Sequence, residues 1–371
     1  MNRVARSDEL HARVQRFASG DSAETFSGLA QEIAQFQREF SAGFARLWAR
    51  RSAASDAVEL IPGVPCDAFR MTRVALHPES DDQARFATSG TTGSARGIHA
   101  LRRLDTYRAL ALRFGRAALL GSNARPRVVA LAPRLDDPPS SSLGYMMALF
   151  MADFEQSATT DVRAPERWLL DEQGVQLAAL ERIAERAMEA GEALVVLATS
   201  FALVGLLDAL EERRINAPAD TVVMQTGGFK GKSREVDGEL LRRDVARAFG
   251  ISEQRVVSEY GMTELTSQLY EATLPGSALH AEHRGPPGVY FEPPWLRVVP
   301  VDPISLEPVA PGEVGIARII DLGNIDSAIA IQTQDRVQRT GTGITLLGRA
   351  PGAPPRGCSL AVEEFLRARG S

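Results

Sequence analysis

The stretch "ATSGTTGSARG", residues 87–97, decides how this 371-residue chain is read. Its glycines let backbone N–H groups converge on an anion, its Ser and Thr hydroxyls add donors, and Arg96 brings a full positive charge. Such a loop is built to cradle phosphate. It departs from the P-loop pattern G-x-x-x-x-G-K-[ST], because no Lys-Ser/Thr pair follows its glycines. A bland Ser/Gly-rich surface loop is the competing reading. It carries less weight because the loop runs on into the helical pattern LDTYRALALRFGRAALLG, which ordinary linkers seldom do.

Around this loop, short β-branched runs alternate with helical patterns. RVVALAP (127–133), ALVVLATS (193–200), TVVMQT (221–226) and RVVSEY (255–260) read as strands, with LAALERIAERAMEAG, FALVGLLDALEERR and GELLRRDVARAFG as helices between them. The alternation predicts an α/β fold with a largely parallel sheet, in which ligands gather at the loops after strand C-termini. Four units are expected: a helical N-terminal segment (1–82), an α/β nucleotide-binding core (83–284), a β-rich subdomain (285–349) and a short C-terminal tail (350–371).

Composition removes several function classes. The formal net charge is -5, so no excess of basic residues exists to neutralise a nucleic acid backbone. The polar, amphipathic N-terminus lacks a signal-peptide core and no 18-residue apolar run follows, so no membrane insertion and a cytoplasmic location are expected. Two distant cysteines, Cys66 and Cys358, make neither a disulfide framework nor a metal knuckle. Oligomeric state is left open. Of the 42 basic residues only Lys230 and Lys232 are lysine, and both fall in "TGGFKGKSRE". Chance placement competes with a need for a compact ammonium there.

Three further stretches carry chemistry. "TGGFKGKS" (226–233) is a Walker near miss, since Thr226 stands where the first glycine belongs and a β-branched residue is costly at positive φ. Gly227 and Gly228 would still let a flat ligand approach the backbone. "SEYGMTELTSQ" (258–268) offers Tyr260 for stacking on a base, Gly261 for a turn, Thr263 as a hydroxyl and Glu264 as a carboxylate suited to Mg2+. "PPRGCSLAVEEF" (354–365) places Cys358 on a Gly- and Pro-hinged tail, with Arg356 near enough to favour its thiolate.

Together these stretches resemble the adenylate-forming superfamily, whose members activate carboxylic acids with ATP as acyl-adenylates. Its phosphate loop is written [ST]-[ST/G]-G-T-T-G-x-P-K-G, and Thr88, Ser89, Gly90, Thr91, Thr92 and Gly93 match, while Ala95 and Arg96 replace the proline and lysine. Residues 260–264 match the superfamily's Y-G-x-T-E. The resemblance implies that Tyr260 stacks on adenine and Glu264 helps hold Mg2+. "IQTQDRVQR" looks like its T-G-D strand and "LLGRA" like its hinge, which would put Asp335 and Arg349 near the ribose. The usual mobile C-terminal domain with its catalytic lysine is expected to be absent or reduced to the tail. That departure, with the Cys-bearing tail, resembles the LuxE-type acyl-protein synthetases, which move the acyl group onto their own C-terminal cysteine, the position matched by Cys358.

The resulting expectation is an enzyme using ATP and Mg2+ on a fatty or other carboxylic acid. Lys230, Lys232 and Arg96 would serve the phosphates, and Cys358 would pass the acyl group to a partner reductase or carrier. An acyl- or aryl-CoA ligase with an incidental Cys358, and a P-loop-like nucleotide-binding regulator, are the alternatives. His280 and His283 in "HAEH" lack a third ligand for zinc. Cys66 reads as a packed small residue, His77 and His99 show no partner in sequence, and His99 is placed against the acyl site.

Overall fold

The computed structural model describes residues 2–50, 57–88, 96–121, 126–155, 161–227 and 238–350. The four expected strands form a consecutive parallel run, Arg127–Leu131, Leu194–Thr199, Val222–Thr226 and Val256–Tyr260. Both faces of this run are covered, as continuous apolar strands require. Val128, Val195, Met224 and Val257 join one core with the helices Leu104–Leu119 and Ser142–Phe154. Val129, Val196, Val223 and Val256 join a second core with Leu177–Ala190, Ser200–Leu210 and Gly238–Phe249.

The sheet does not stop at Tyr260. Leu269–Glu271, Val289–Phe291, Gly343–Arg349, Ala330–Thr340, Val314–Asp321 and Leu296–Val301 continue it antiparallel in that order, and Val64–Pro65 pairs alongside Ala330–Thr340, giving eleven strands among the described residues. The turn-rich stretch after residue 285 therefore extends the same sheet as the parallel core. A separate antiparallel pair, Ala84–Ala87 with Ile98–Leu101, flanks the 88–97 loop.

Three N-terminal helices, Arg3–Ser19, Phe26–Phe40 and Ala42–Ala49, are set by side-chain caps from Asn2, Thr25 and Ser41, each accepting a backbone N–H of the first turn. Ser41 ends one helix and caps the next, which splits a pattern that runs unbroken in sequence. They dock on the buried turn between Asp321 and Ala330. Gln37 donates to the carbonyls of Asn324 and Ile325 and accepts from the N–H of Ile329. Asp326 accepts from Ser7 Oγ at 2.6 Å, His11 Nε2 at 3.0 Å and Arg102 Nε at 2.8 Å. Burial works the other way, but these partners hold the Asp326 carboxyl well below the usual carboxylate range.

Asp326 therefore stabilises the fold above the ordinary carboxylate pKa, and that contribution fades only as pH falls through its lowered value. Asp326→Ala leaves Arg102 and His11 facing each other without their anion and should cost about 3 kcal/mol. Denaturant titration of wild type and variant at pH 7 checks this; a loss under 1 kcal/mol would show the triad to be dispensable.

Candidate active site

The C-terminal ends of the parallel strands meet the antiparallel half at Tyr260. Its hydroxyl donates to Asp335 Oδ2 at 2.8 Å, and Arg349 Nε lies 3.6 Å from Asp335 Oδ1. Asp335 and Arg349 are cross-strand partners, and the register shifts just after Asp335, a bulge that re-aims its side chain. Burial, with the Asp335 carboxylate beside it, pushes the Tyr260 phenol well above its usual range. The ring stays a neutral flat face edged by a carboxylate and a half-exposed guanidinium.

The turn after Tyr260 is held from behind. Asp321 is fully buried and accepts from the N–H and Oγ1 of Thr266, from Ser267 Oγ and from the N–H of Gly323. Asn324 Nδ2 donates to the carbonyl of Glu264 at 2.9 Å. His99 donates from Nδ1 to the Thr263 carbonyl at 2.8 Å, which fixes its tautomer, and Nε2 accepts from Ser327 Oγ at 3.0 Å. Burial lowers its pKa to about 4, so it is a neutral strut. The placement of His99 against the acyl site is thus corrected: it ties the strand after the glycine-rich loop to the Thr263–Glu264 turn.

That loop is pinched at its neck, where Thr88 N donates to the Gly97 carbonyl and Gly97 N to Thr88 Oγ1, both at 2.9 Å. Arg96 is exposed beside the neck. Ser89, Gly90, Thr91, Thr92, Gly93, Gly228, Lys230, Lys232 and Cys358 lie outside the described residues. Thr226 ends its strand with its hydroxyl on Glu259 Oε2, and the left-handed backbone falls on exposed Gly227, φ 75°. Thr226 therefore holds extended geometry at the point where a Walker loop would require glycine.

Glu264 is buried beside this constellation. Among the described residues no three His, Cys, Asp or Glu side chains cluster for a metal. A single carboxylate fits Mg2+, which takes its remaining ligands from phosphates and water. His280 bonds the Ala272 carbonyl at 2.7 Å, and His283 stacks on Phe291. His77 bonds Asp82 at 2.9 Å.

Two more groups border the site: Cys66, the packed small residue expected from the sequence, and Glu259, which escapes a sequence reading. Cys66 is half-buried against the core, and burial, with the charges of Glu264 and Asp67, raises its thiol to about 12. It is an inert thiol at the edge of the site. Glu259 is buried between Thr226 and Gly261, and burial raises its carboxyl to about 7 against the opposing pull of the Thr226 hydroxyl. A Cβ at position 261 would meet Glu259 Oε1 at 2.5 Å, so a larger residue there would push the carboxyl aside. Alternation along a strand would have flagged Glu259 as solvent-facing; burial on both faces is the missing signal.

The fold is that of an adenylate-forming ligase. Over 87% of this chain and 74% of the other, it is similar at TM-score 0.54 and 14% identity to an open conformation of 2-hydroxyisobutyryl-CoA ligase in complex with 2-HIB-AMP and CoA. The postadenylation state of that ligase, in complex with R3-HIB-AMP, is similar at TM-score 0.56 and 14% identity, over 87% and 67% of the two chains. Within that class, the chain matches the family "Acyl-protein synthetase, LuxE" over residues 52–367, and it belongs to that family. It is 21% identical over 323 residues, 83% of this chain and 79% of the other, to a long-chain-fatty-acid–luciferin-component ligase of Vibrio harveyi. The chain is an AMP-forming acid ligase.

Glu259 generates a pH prediction. Its folded pKa of about 7 exceeds the ordinary 4.5, so its contribution to stability is full at low pH and is lost as pH rises from 4.5 through about 7. Relative to Glu259→Gln, the wild type should lose about 3 kcal/mol across that window. Melting curves of both proteins between pH 4.5 and 8 test it; parallel curves would mean that Glu259 is ionised in the fold.

Proposed function

We propose that this chain joins ATP to a fatty or related carboxylic acid as an acyl-adenylate, then moves the acyl group to the thiol of Cys358 for collection by a partner reductase or carrier. The observation that carries this reading is the meeting of Tyr260, Asp335 and Arg349 beside the Thr263–Glu264 turn, at the strand ends where α/β folds bind ligands. Tyr260 offers its face to adenine, and Asp335 accepts from the ribose hydroxyls with Arg349 beside it. Gly227 and Gly228 let the base lie close to backbone. Thr88 to Gly93, with Arg96, Lys230 and Lys232, are assigned to the phosphates by their sequence motifs, and Gly261 and Thr263 shape the turn after Tyr260.

The acid's carboxylate oxygen bonds to the α-phosphorus as the bond to the β-phosphate bridge breaks, and pyrophosphate leaves. An anion must approach an anion, so fixed positive charge sets the barrier. Glu264 would hold Mg2+, which when bound supplies such charge at the phosphates. The Cys358 thiolate then attacks the acyl carbon, AMP departs, and a thioester remains. Coenzyme A as acceptor is the competing outcome. The extended Thr226 weighs against a P-loop regulator.

ATP–pyrophosphate exchange over a panel of carboxylic acids tests the first half-reaction. Acid-dependent exchange is expected in the wild type, with Glu264→Gln slower by about 100-fold. Absence of exchange with every acid, or full exchange by Glu264→Gln, would overturn the reading.

A further inference from the structure

We infer that Glu259 selects the acid: its carboxyl, backed by Thr226, donates a hydrogen bond to an oxygen substituent on the carbons next to the substrate's carboxylate, favouring a hydroxy or oxo acid over the plain chain. This rests on the acid-activating reading above and narrows its substrate class.

The placement comes from strand geometry. Successive side chains of Val256–Tyr260 point to opposite faces, so Tyr260 reaches Asp335 while Glu259 turns to the side of Thr226. Glu259 is 5% exposed. Its Oε2 accepts from Thr226 Oγ1, and no described residue bonds Oε1. Oε1 lies under Gly261, at the root of the turn that carries Thr263 and Glu264. An acyl chain that begins at the acyl-phosphate bond beside that turn can pass this oxygen with its first carbons.

A carboxyl taken out of water and bonded on one oxygen alone is costly, and a ligand that completes it recovers that cost. The titratable groups that feel its charge are the phenols of Tyr107, on Leu104–Leu119, Tyr270, on Leu269–Glu271, and Tyr290, on Val289–Phe291. Burial holds all three neutral. Among the described residues no cation pairs with it, and a carboxyl raised to about 7 holds its proton in about half of the molecules at pH 7 and in most of them at pH 6. Because Oε2 accepts from Thr226, that proton sits on Oε1, aimed away from Thr226. A methylene against it would leave the donor unmet; a hydroxyl or keto oxygen would meet it. Tyr107 is committed elsewhere, donating to the Ser142 carbonyl at 3.2 Å, so it does not substitute.

The test compares kcat/KM in ATP–pyrophosphate exchange for octanoate, 2-hydroxyoctanoate and 3-hydroxyoctanoate in wild type, Glu259→Gln and Glu259→Leu. The wild type should favour one hydroxy acid over octanoate by about tenfold or more. Glu259→Gln, whose amide still donates, should keep that ratio, and Glu259→Leu should bring it to within about twofold, by gaining on octanoate rather than by general loss. Preference for octanoate in the wild type, or an unchanged ratio in Glu259→Leu, overturns the inference while leaving acid activation intact. Exchange with no acid at all overturns both. The wild-type ratio needs no variant, so misfolding of Glu259→Leu does not shield the claim.

Discussion

The Tyr260–Asp335 hydrogen bond is the constraint on which the site depends. Three strands separate the strand of Tyr260 from that of Asp335 in the sheet order, so in a flat sheet their backbones would stand about 19 Å apart. Two side chains cannot span that distance, yet the phenol and carboxylate meet at 2.8 Å. The sheet therefore curls, and the curl brings the parallel and antiparallel halves together at Tyr260 and Asp335. A parallel run alone would supply the strand ends and turns. The antiparallel continuation supplies the carboxylate and the guanidinium that face them.

Holding this curl takes buried polar contacts, because the turn from Asp321 to Ala330 passes beneath the site with its polar groups out of water. Nearly all are answered by specific partners, Asn324 Oδ1 being the exception. Asp321 anchors Thr266 and Ser267, Asn324 grips the Glu264 carbonyl, Ser327 meets His99, and Asp326 reaches the N-terminal helix and Arg102. The N-terminal helices are thus part of the site's support. Their docking fixes a turn whose other side positions the residues assigned to nucleotide and metal.

Much of this was legible in sequence because it is local. β-Branched runs bounded by turn residues gave the parallel strands, and Tyr260, Thr263 and Glu264 announce themselves as a short motif with a physical logic. What was not legible is long-range. His11 and Asp326 are 315 residues apart and pair only once the chain is folded. The single sheet running from Arg127 to Val301 depends on pairings such as that of Val289–Phe291 with Gly343–Arg349, which no local pattern encodes. Glu259 was hidden for a different reason: a carboxyl in a strand reads as solvent-facing until both faces of the strand are known to be covered. Its partner Thr226 could be read only for what it forbids, a Walker loop.

The account's central claim is that an adenylating cleft discharges its acyl group onto a thiol of the same chain. Intact-mass analysis after incubation with Mg2+-ATP and the best acid from the exchange panel, without coenzyme A, tests this most directly. The account predicts one acyl adduct, labile to hydroxylamine, that maps to Cys358 and is absent in Cys358→Ser while exchange persists. A wild type that stays unacylated, and that forms acyl-CoA no better than Cys358→Ser once coenzyme A is added, would contradict it.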